Sequence, residues 1–232
     1  LVKRFMKGVF EIKPSLPRYS EIWDVSPVLN FIRSRTDLSL KELSHQLTFL
    51  LLILSGQRCQ TVHLLALNNM TISADKCTFH ISQHVKQSRH GNHVPPVVYE
   101  SYPVDPKLCV VSHIKDYIKR TEKLRPSDCQ QLLISFLKPH KPVTKETISR
   151  WCTQFLNTAG VNVNKFKAHS TRAASTSHLA EHNIDIASIL KTVGWSNERT
   201  FQAFYHKQLE QSDKTFNFGS ALLQSAVTSL AS

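Results

Sequence analysis

The chain of 232 residues is long enough to bury a core as one large or two small domains, and 29 Lys+Arg against 17 Asp+Glu leave a net charge of +12. That excess favours polyanions, nucleic acid ahead of an anionic membrane surface, and it is dispersed along the chain instead of gathered in a tail. Five widely spaced cysteines with no C-x-x-C pair argue for reduced thiols in an intracellular protein, and the longest apolar run, Leu47 to Leu54, is too short to cross a bilayer.

Residues 1–20 hold Pro14, Pro17 and the basic residues Lys3, Arg4, Lys7, Lys13 and Arg18 with little periodicity, so they read as an arm or linker. The chain begins without methionine and shows no signal peptide, which fits a domain cut from a longer protein. Apolar spacing from Trp23 to Ile32 predicts a first helix, with Pro27 in its opening turn. Ser39, with Glu42 at capping-box spacing, starts a long buried helix that ends near Gly56, and a short helix covers Gln60 to Leu67. Thr78 to Val85 alternates as a strand does, Val94 to Tyr99 gives a β-rich return, and Gln87 to Asn92 is turn chemistry. This is a hairpin, with Lys86 where its first strand enters the turn and Arg89 within the turn.

Helical patterns follow at 109–124, 144–159, 170–182, 185–193 and 198–207, with Asn183 and Gly194 as C-terminal stops. Leu132 to Leu137 reads as a short strand or an extended piece. Phe216 to Leu230 is a Ser/Ala-rich amphipathic segment suited to packing on its own domain or on a neighbour. No internal repeat or low-complexity tract is present. The expected class is mainly α with a small antiparallel β-hairpin, an α+β fold.

The chemistry gathers in the last third. His169 and Arg172, three apart at a helix start, share a face on which free amides and a positive helix end also bear, and Lys165 and Lys167 add to the field. Arg58 directly follows the apolar helix and Gly56. Two arginines can clamp the non-bridging oxygens of one phosphodiester with paired donors. Tyr205, ten residues after Trp195, sits among Phe201 and Phe204. Taken one at a time, each of these residues has an ordinary structural explanation; their order along the chain is what points to a site.

That order resembles the catalytic domain of the tyrosine recombinase (phage-integrase-like) family. There an arginine follows a buried helix, a lysine sits on a β-hairpin, His-x-x-Arg opens a later helix, and a His or Trp precedes a tyrosine nucleophile by about ten residues. Arg58, Lys86, His169, Arg172, Trp195 and Tyr205 match in order and approximate spacing over roughly residues 24–210. Lys7 to Pro14, Pro17 to Tyr19, Ile22 to Val25 and Ser55 to Thr61 look like recombinases of eukaryotic mobile elements of the DIRS/Ngaro and Crypton kinds.

The resemblance implies an arm at 1–20, a catalytic domain at 21–210, and a segment at 211–232 that packs on a neighbouring protomer. It implies metal-independent and cofactor-free transesterification of double-stranded DNA. Arg58 and Arg172 would bind the scissile phosphate, with His169 and Trp195 adding hydrogen bonds. Tyr205 would form a 3′-phosphotyrosyl link, His169 would take its proton, and Lys86 would protonate the leaving 5′-oxygen. Lys165, Lys167 and Arg89 would contact DNA. A homotetramer on DNA and a nuclear location follow from the same likeness, which leaves a monomer open for the isolated chain; no membrane role is expected.

One departure stands out. The family usually carries an acid three residues after its first arginine, and Thr61 occupies that place. Two other functions therefore stay beside the active recombinase: a DNA-binding descendant that no longer cuts, and a type IB topoisomerase-like enzyme. The His178-x-x-Glu181-His182 pattern has no third ligand to make it a zinc site, Arg89-His90-Gly91 lies in a turn, and His80 with His84 lacks cysteine or carboxylate partners.

Overall fold

In a computed structural model that describes residues 1–13, 18–83, 95–195 and 198–209, the elements run α1 (Val2–Ile12), β1 (Glu21–Ile22), α2 (Val25–Ser34), α3 (Leu40–Ser55), α4 (Cys59–His63), β2 (Met70–Ile72), β3 (Lys76–Phe79), β4 (Val97–Glu100), α5 (Val110–Thr121), α6 (Lys145–Thr158), α7 (Ser170–Glu181), α8 (Ile186–Val193), α9 (Glu198–Phe204) and β5 (Gln208–Leu209). The apolar run becomes α3, the central helix, buried on nearly every side and packed against α5, α6 and α7. It begins with the reciprocal box its sequence carries. The Ser39 hydroxyl accepts from the Glu42 N–H at 3.3 Å, and the Glu42 carboxylate accepts from the Ser39 N–H at 2.9 Å.

Aromatic rings tie the helices together. Phe49 of α3 stacks on Phe155 of α6 at 4.8 Å and tilts against Trp23 at 6.3 Å, while Phe136 stacks on Trp151 at 5.2 Å. Each fully buried ring of this kind contributes roughly 1.5–3 kcal/mol over leaving it in water.

β2, β3 and β4 form an antiparallel sheet in that order, with Cys77 opposite Tyr99 and Phe79 opposite Val97. Cys77, Phe79, Val97 and Tyr99 face the core, and the Tyr99 hydroxyl donates to the Leu51 carbonyl at 2.9 Å, fastening the sheet to α3. The class is thus mainly α with a small antiparallel sheet. β3 starts two residues earlier than the alternation suggested and β4 three residues later, and β2 is a third strand too short for periodicity to reveal. Lys86, Arg89 and the expected turn fall in 84–94, outside the described residues, as does the amphipathic segment at 216–230.

Three other expectations change. Residues 2–12 are helical, since Val2, Phe5, Val9 and Ile12 recur at helical spacing ahead of the prolines that suggested a linker. The short helix after Arg58 closes at His63, while Leu132 to Leu137 takes the extended alternative of its expectation, with one isolated bridge, Ile134 to Pro142. The last described helix stops at Phe204 because Gln208-Leu209 turns away to pair in parallel with Glu21-Ile22. Among the described residues no helix is long and apolar enough to cross a membrane.

Candidate active site

Gly56 closes α3 in the left-handed region, φ 58, and a Cβ there would stand 2.5 Å from Val193 Cγ1. Only glycine allows both the turn and the approach of α8 to the end of α3. Two residues on, Arg58 holds the extended backbone (φ −84, ψ 156) that caps α4. Its half-buried side chain has no hydrogen-bond or ion-pair partner among the described residues.

His169 is the exposed N-cap residue of α7, and the entry to that helix is pinned from two sides. Trp23 Nε1 donates to the Ser170 hydroxyl at 2.9 Å, and the Thr171 hydroxyl donates to the Ala168 carbonyl at 2.8 Å. One turn along, Arg172 is only 1% exposed, the largest side chain so deeply buried. Its Nη2 donates to the Val193 carbonyl at 2.8 Å, whereas Nε and Nη1 have no hydrogen-bond partner among the described residues. Cζ lies 4.4 Å from the Trp195 ring centre and 5.7 Å from that of Tyr205. Burial first, then the like charge of Arg58, pushes its pKa down, and Tyr205 opposes them. A guanidinium so placed still keeps its charge at neutral pH.

Gly194, with φ 68, ends α8, and the Trp195 N–H turns back to the Leu190 carbonyl at 2.9 Å. That turn lays the indole 4.3 Å from the Tyr205 ring and 5.7 Å from Phe201, while the His169 ring stands edge-on 6.0 Å from Tyr205. Tyr205 is held through its backbone. Its carbonyl accepts from the Ser177 hydroxyl at 2.7 Å, and the Lys207 N–H donates to the same hydroxyl at 2.9 Å. The β1–β5 pair then anchors the next residues.

Five of the residues singled out by sequence therefore meet in one place. Arg58, His169 and Arg172 line a single cleft of ≈ 340 Å³, and Trp195 and Tyr205 join it through Arg172. The sixth, Lys86, is outside the described residues. Of the flanking bases, Lys167 is exposed, and Lys165 pairs with Glu21 while lying 5.1 Å over the Phe166 ring. The same cleft takes in Gln57, Gln60, Lys145, Glu146 and Ser149, which sequence reasoning passed over. Lys145 carries a signal in the sequence, since Lys138, Lys141 and Lys145 stand together just ahead of a helical pattern; Glu146 carries none. Among the described residues no group of three or more His, Cys, Asp or Glu is placed to hold a metal ion.

A family model described as the Phage integrase family matches residues 25–211. Among solved structures, the chain is similar to the XerH site-specific recombinase bound to palindromic difH substrate in a post-cleavage complex: TM-score 0.59, 16% identity, 92% of this chain and 54% of that one. XerA recombinase gives TM-score 0.57 at 14% identity, covering 94% of this chain and 67% of that one. A lambda integrase (75–356) dimer bound to a COC′ core site gives 0.50 at 14%, covering 88% and 64%. At such identities the likeness is one of fold, and the chain spans about half the length of the XerH protein. No curated protein sequence matches it.

Proposed function

The chain belongs to the phage integrase family, and from that premise we propose that it cleaves and rejoins double-stranded DNA with Tyr205 as nucleophile. The observation that carries this reading is Arg172: a buried guanidinium with two donors unpartnered among the described residues, lying against the paired rings of Trp195 and Tyr205 and sharing a cleft with Arg58 and His169. Fixed donors aimed at a developing charge are the main resource of a phosphoryl-transfer site that works by electrostatics.

In the proposed reaction a phosphodiester seats on Arg58 and Arg172. The Tyr205 oxygen attacks phosphorus, the P–O5′ bond breaks, and a 3′-phosphotyrosyl link and a 5′-hydroxyl result. His169, edge-on to the tyrosine ring, takes the phenolic proton. Lys86 gives a proton to the departing oxygen. Trp195, whose indole N–H is a donor only, supports a phosphate oxygen. Attack by a second 5′-hydroxyl reverses the step and conserves the bond energy.

The finer context belongs to the same proposal. The sequence blocks before Val25 and around Arg58 support an element of the DIRS/Ngaro or Crypton kind, hence a nuclear setting. Assembly as a tetramer on two duplexes, with residues 211–232 packing on a neighbour, fits the lambda integrase dimer found on its core site. One observation favours a second reading, a descendant that binds DNA without cutting: Thr61 is uncharged and 2% exposed, and Arg58 lacks a partner among the described residues.

A duplex with a nick beside the cleavage site, which traps the cleaved strand, tests both. The active reading expects a covalent protein–DNA adduct that Tyr205→Phe abolishes while duplex binding persists. Binding without any adduct in the wild-type chain establishes the non-cutting reading instead. Joining of strands between two duplexes, against relaxation of a supercoiled plasmid, then separates recombinase from topoisomerase.

A further inference from the structure

The cleft that gathers Arg58, His169 and Arg172 has one carboxylate among its described lining residues, Glu146 in the first turn of α6. Its present contacts are loose. Glu146 Oε1 lies 3.6 Å from Lys145 Nζ, with the two side chains 69% and 60% exposed, and it shares a hydrogen bond with Thr144. Contacts of this sort at a wet surface are weak and easily exchanged. Across the cleft, Arg58 has no partner among the described residues, and its charge faces a second, buried guanidinium. Thr61, on the turn of α4 after Arg58, brings no charge to it.

Two like charges held near each other repel, so an unpaired arginine side chain beside Arg172 swings toward solvent unless an anion holds it. A bound phosphodiester is such an anion, but it arrives only after the seat must already be shaped. We infer that Glu146 is the positioning residue for Arg58: its carboxylate reaches across from α6 and holds the guanidinium toward the phosphate seat, doing from another helix what Thr61 cannot do from α4. The inference rests on the strand-cleavage reading above. The charges then balance in sequence. Two guanidinium groups against one carboxylate leave a single positive charge for the monoanionic diester, and the dianionic transition state draws on His169 and the free N–H groups of Arg172.

The experiment measures single-turnover adduct formation on the nicked duplex, and duplex affinity beside it, for wild type, Glu146→Gln and Gln60→Glu/Glu146→Gln. Gln60 is half-buried and lines the same cleft, so Gln60→Glu restores a carboxylate beside Arg58 by an isosteric change. Glu146→Gln slows adduct formation by at least about tenfold with affinity held within about threefold, the pattern of a contact that matters in the transition state. The double variant recovers most of that rate. An unaltered rate in Glu146→Gln overturns the inference, and so does a loss that Gln60→Glu fails to restore, since that marks a role confined to the start of α6. Melting temperatures of all three identify any variant that has simply unfolded; should the double variant do so, Glu146→Asp replaces it, with partial rate retained if the charge is what counts and none if it is not. A wild-type chain that makes no adduct overturns the cleavage reading and the inference together.

Discussion

Arg172 has been placed where no charge belongs on grounds of stability alone. It is 1% exposed, two of its donors lack partners among the described residues, and the like charge acting on it is another arginine, Arg58. Taking such a group out of water costs several kcal/mol, and one carbonyl with two aromatic faces offsets only part of it. On the proposed reading, the residue is a place where the fold gives up stability to keep a phosphate seat. Arg172→Met keeps much of the volume and the ring contacts while removing the orphaned donors. Its unfolding free energy should rise by about 1 kcal/mol, or about 2–4 °C in melting temperature for a chain of this size, while adduct formation disappears. Thermal melts beside the adduct assay check it; a fall of several kcal/mol would show that the guanidinium is a net structural support.

At the scale of elements, the site depends on three helix ends meeting: the C-terminus of α3, the N-terminus of α7 and the C-terminus of α8. Gly56 is the hinge-pin of that meeting, because its φ of 58 and the Val193 methyl 2.5 Å from where a Cβ would stand both forbid a side chain. Gly56→Ala should cost about 2–3 kcal/mol, combining the left-handed penalty with displacement of α8, and should reduce cleavage further by moving Val193 and its bond to Arg172. Gly160 is the control. It too has a positive φ, 86, but nothing within 4 Å of a Cβ, so Gly160→Ala should cost only about 1 kcal/mol and leave cleavage alone. Denaturant unfolding of the two variants makes the comparison. The same elements show what sequence can carry. The Ser39–Glu42 box and the stop at Gly194 are local and chemically marked, so the helices they bound were legible. β1, β2 and β5 were not, since two- or three-residue strands carry no period and owe their existence to a partner distant in sequence. In the site, Arg58, His169, Arg172, Trp195 and Tyr205 could be picked out by order, but Glu146 enters it only through the packing of α6 on α4, which no spacing encodes. Ser177 as the clamp on the Tyr205 backbone was hidden for the same reason.

Over the whole molecule, the two ends of the described domain are brought together. Glu21-Ile22 pairs with Gln208-Leu209, Trp23 bonds Ser170, and the segment after Tyr205 is thereby tied to the segment before α2. The net charge of +12 is dispersed along the chain, and Arg58, Lys145 and Arg172 bring part of it to the surface of the cleft. A duplex on such a surface is held mostly by phosphate contacts, and each phosphate neutralised releases counterions, so affinity falls with salt in proportion to their number. The basic residues are not equal in this. Lys167 is exposed, whereas Lys165 already sits against Glu21 and the Phe166 ring, so much of its charge is answered within the protein. Lys167→Ala should lower the slope of log affinity against log salt by about 0.9, the share of one phosphate contact, and Lys165→Ala by clearly less. Tyr205→Phe, which removes the nucleophile and no charge, should leave the slope where it was. Titrations of a short duplex between about 50 and 200 mM salt measure all three. Equal slopes for the two lysine variants would mean that DNA displaces Glu21 from Lys165 on binding, and an unaltered slope in Lys167→Ala would put the phosphate track on another face of the domain.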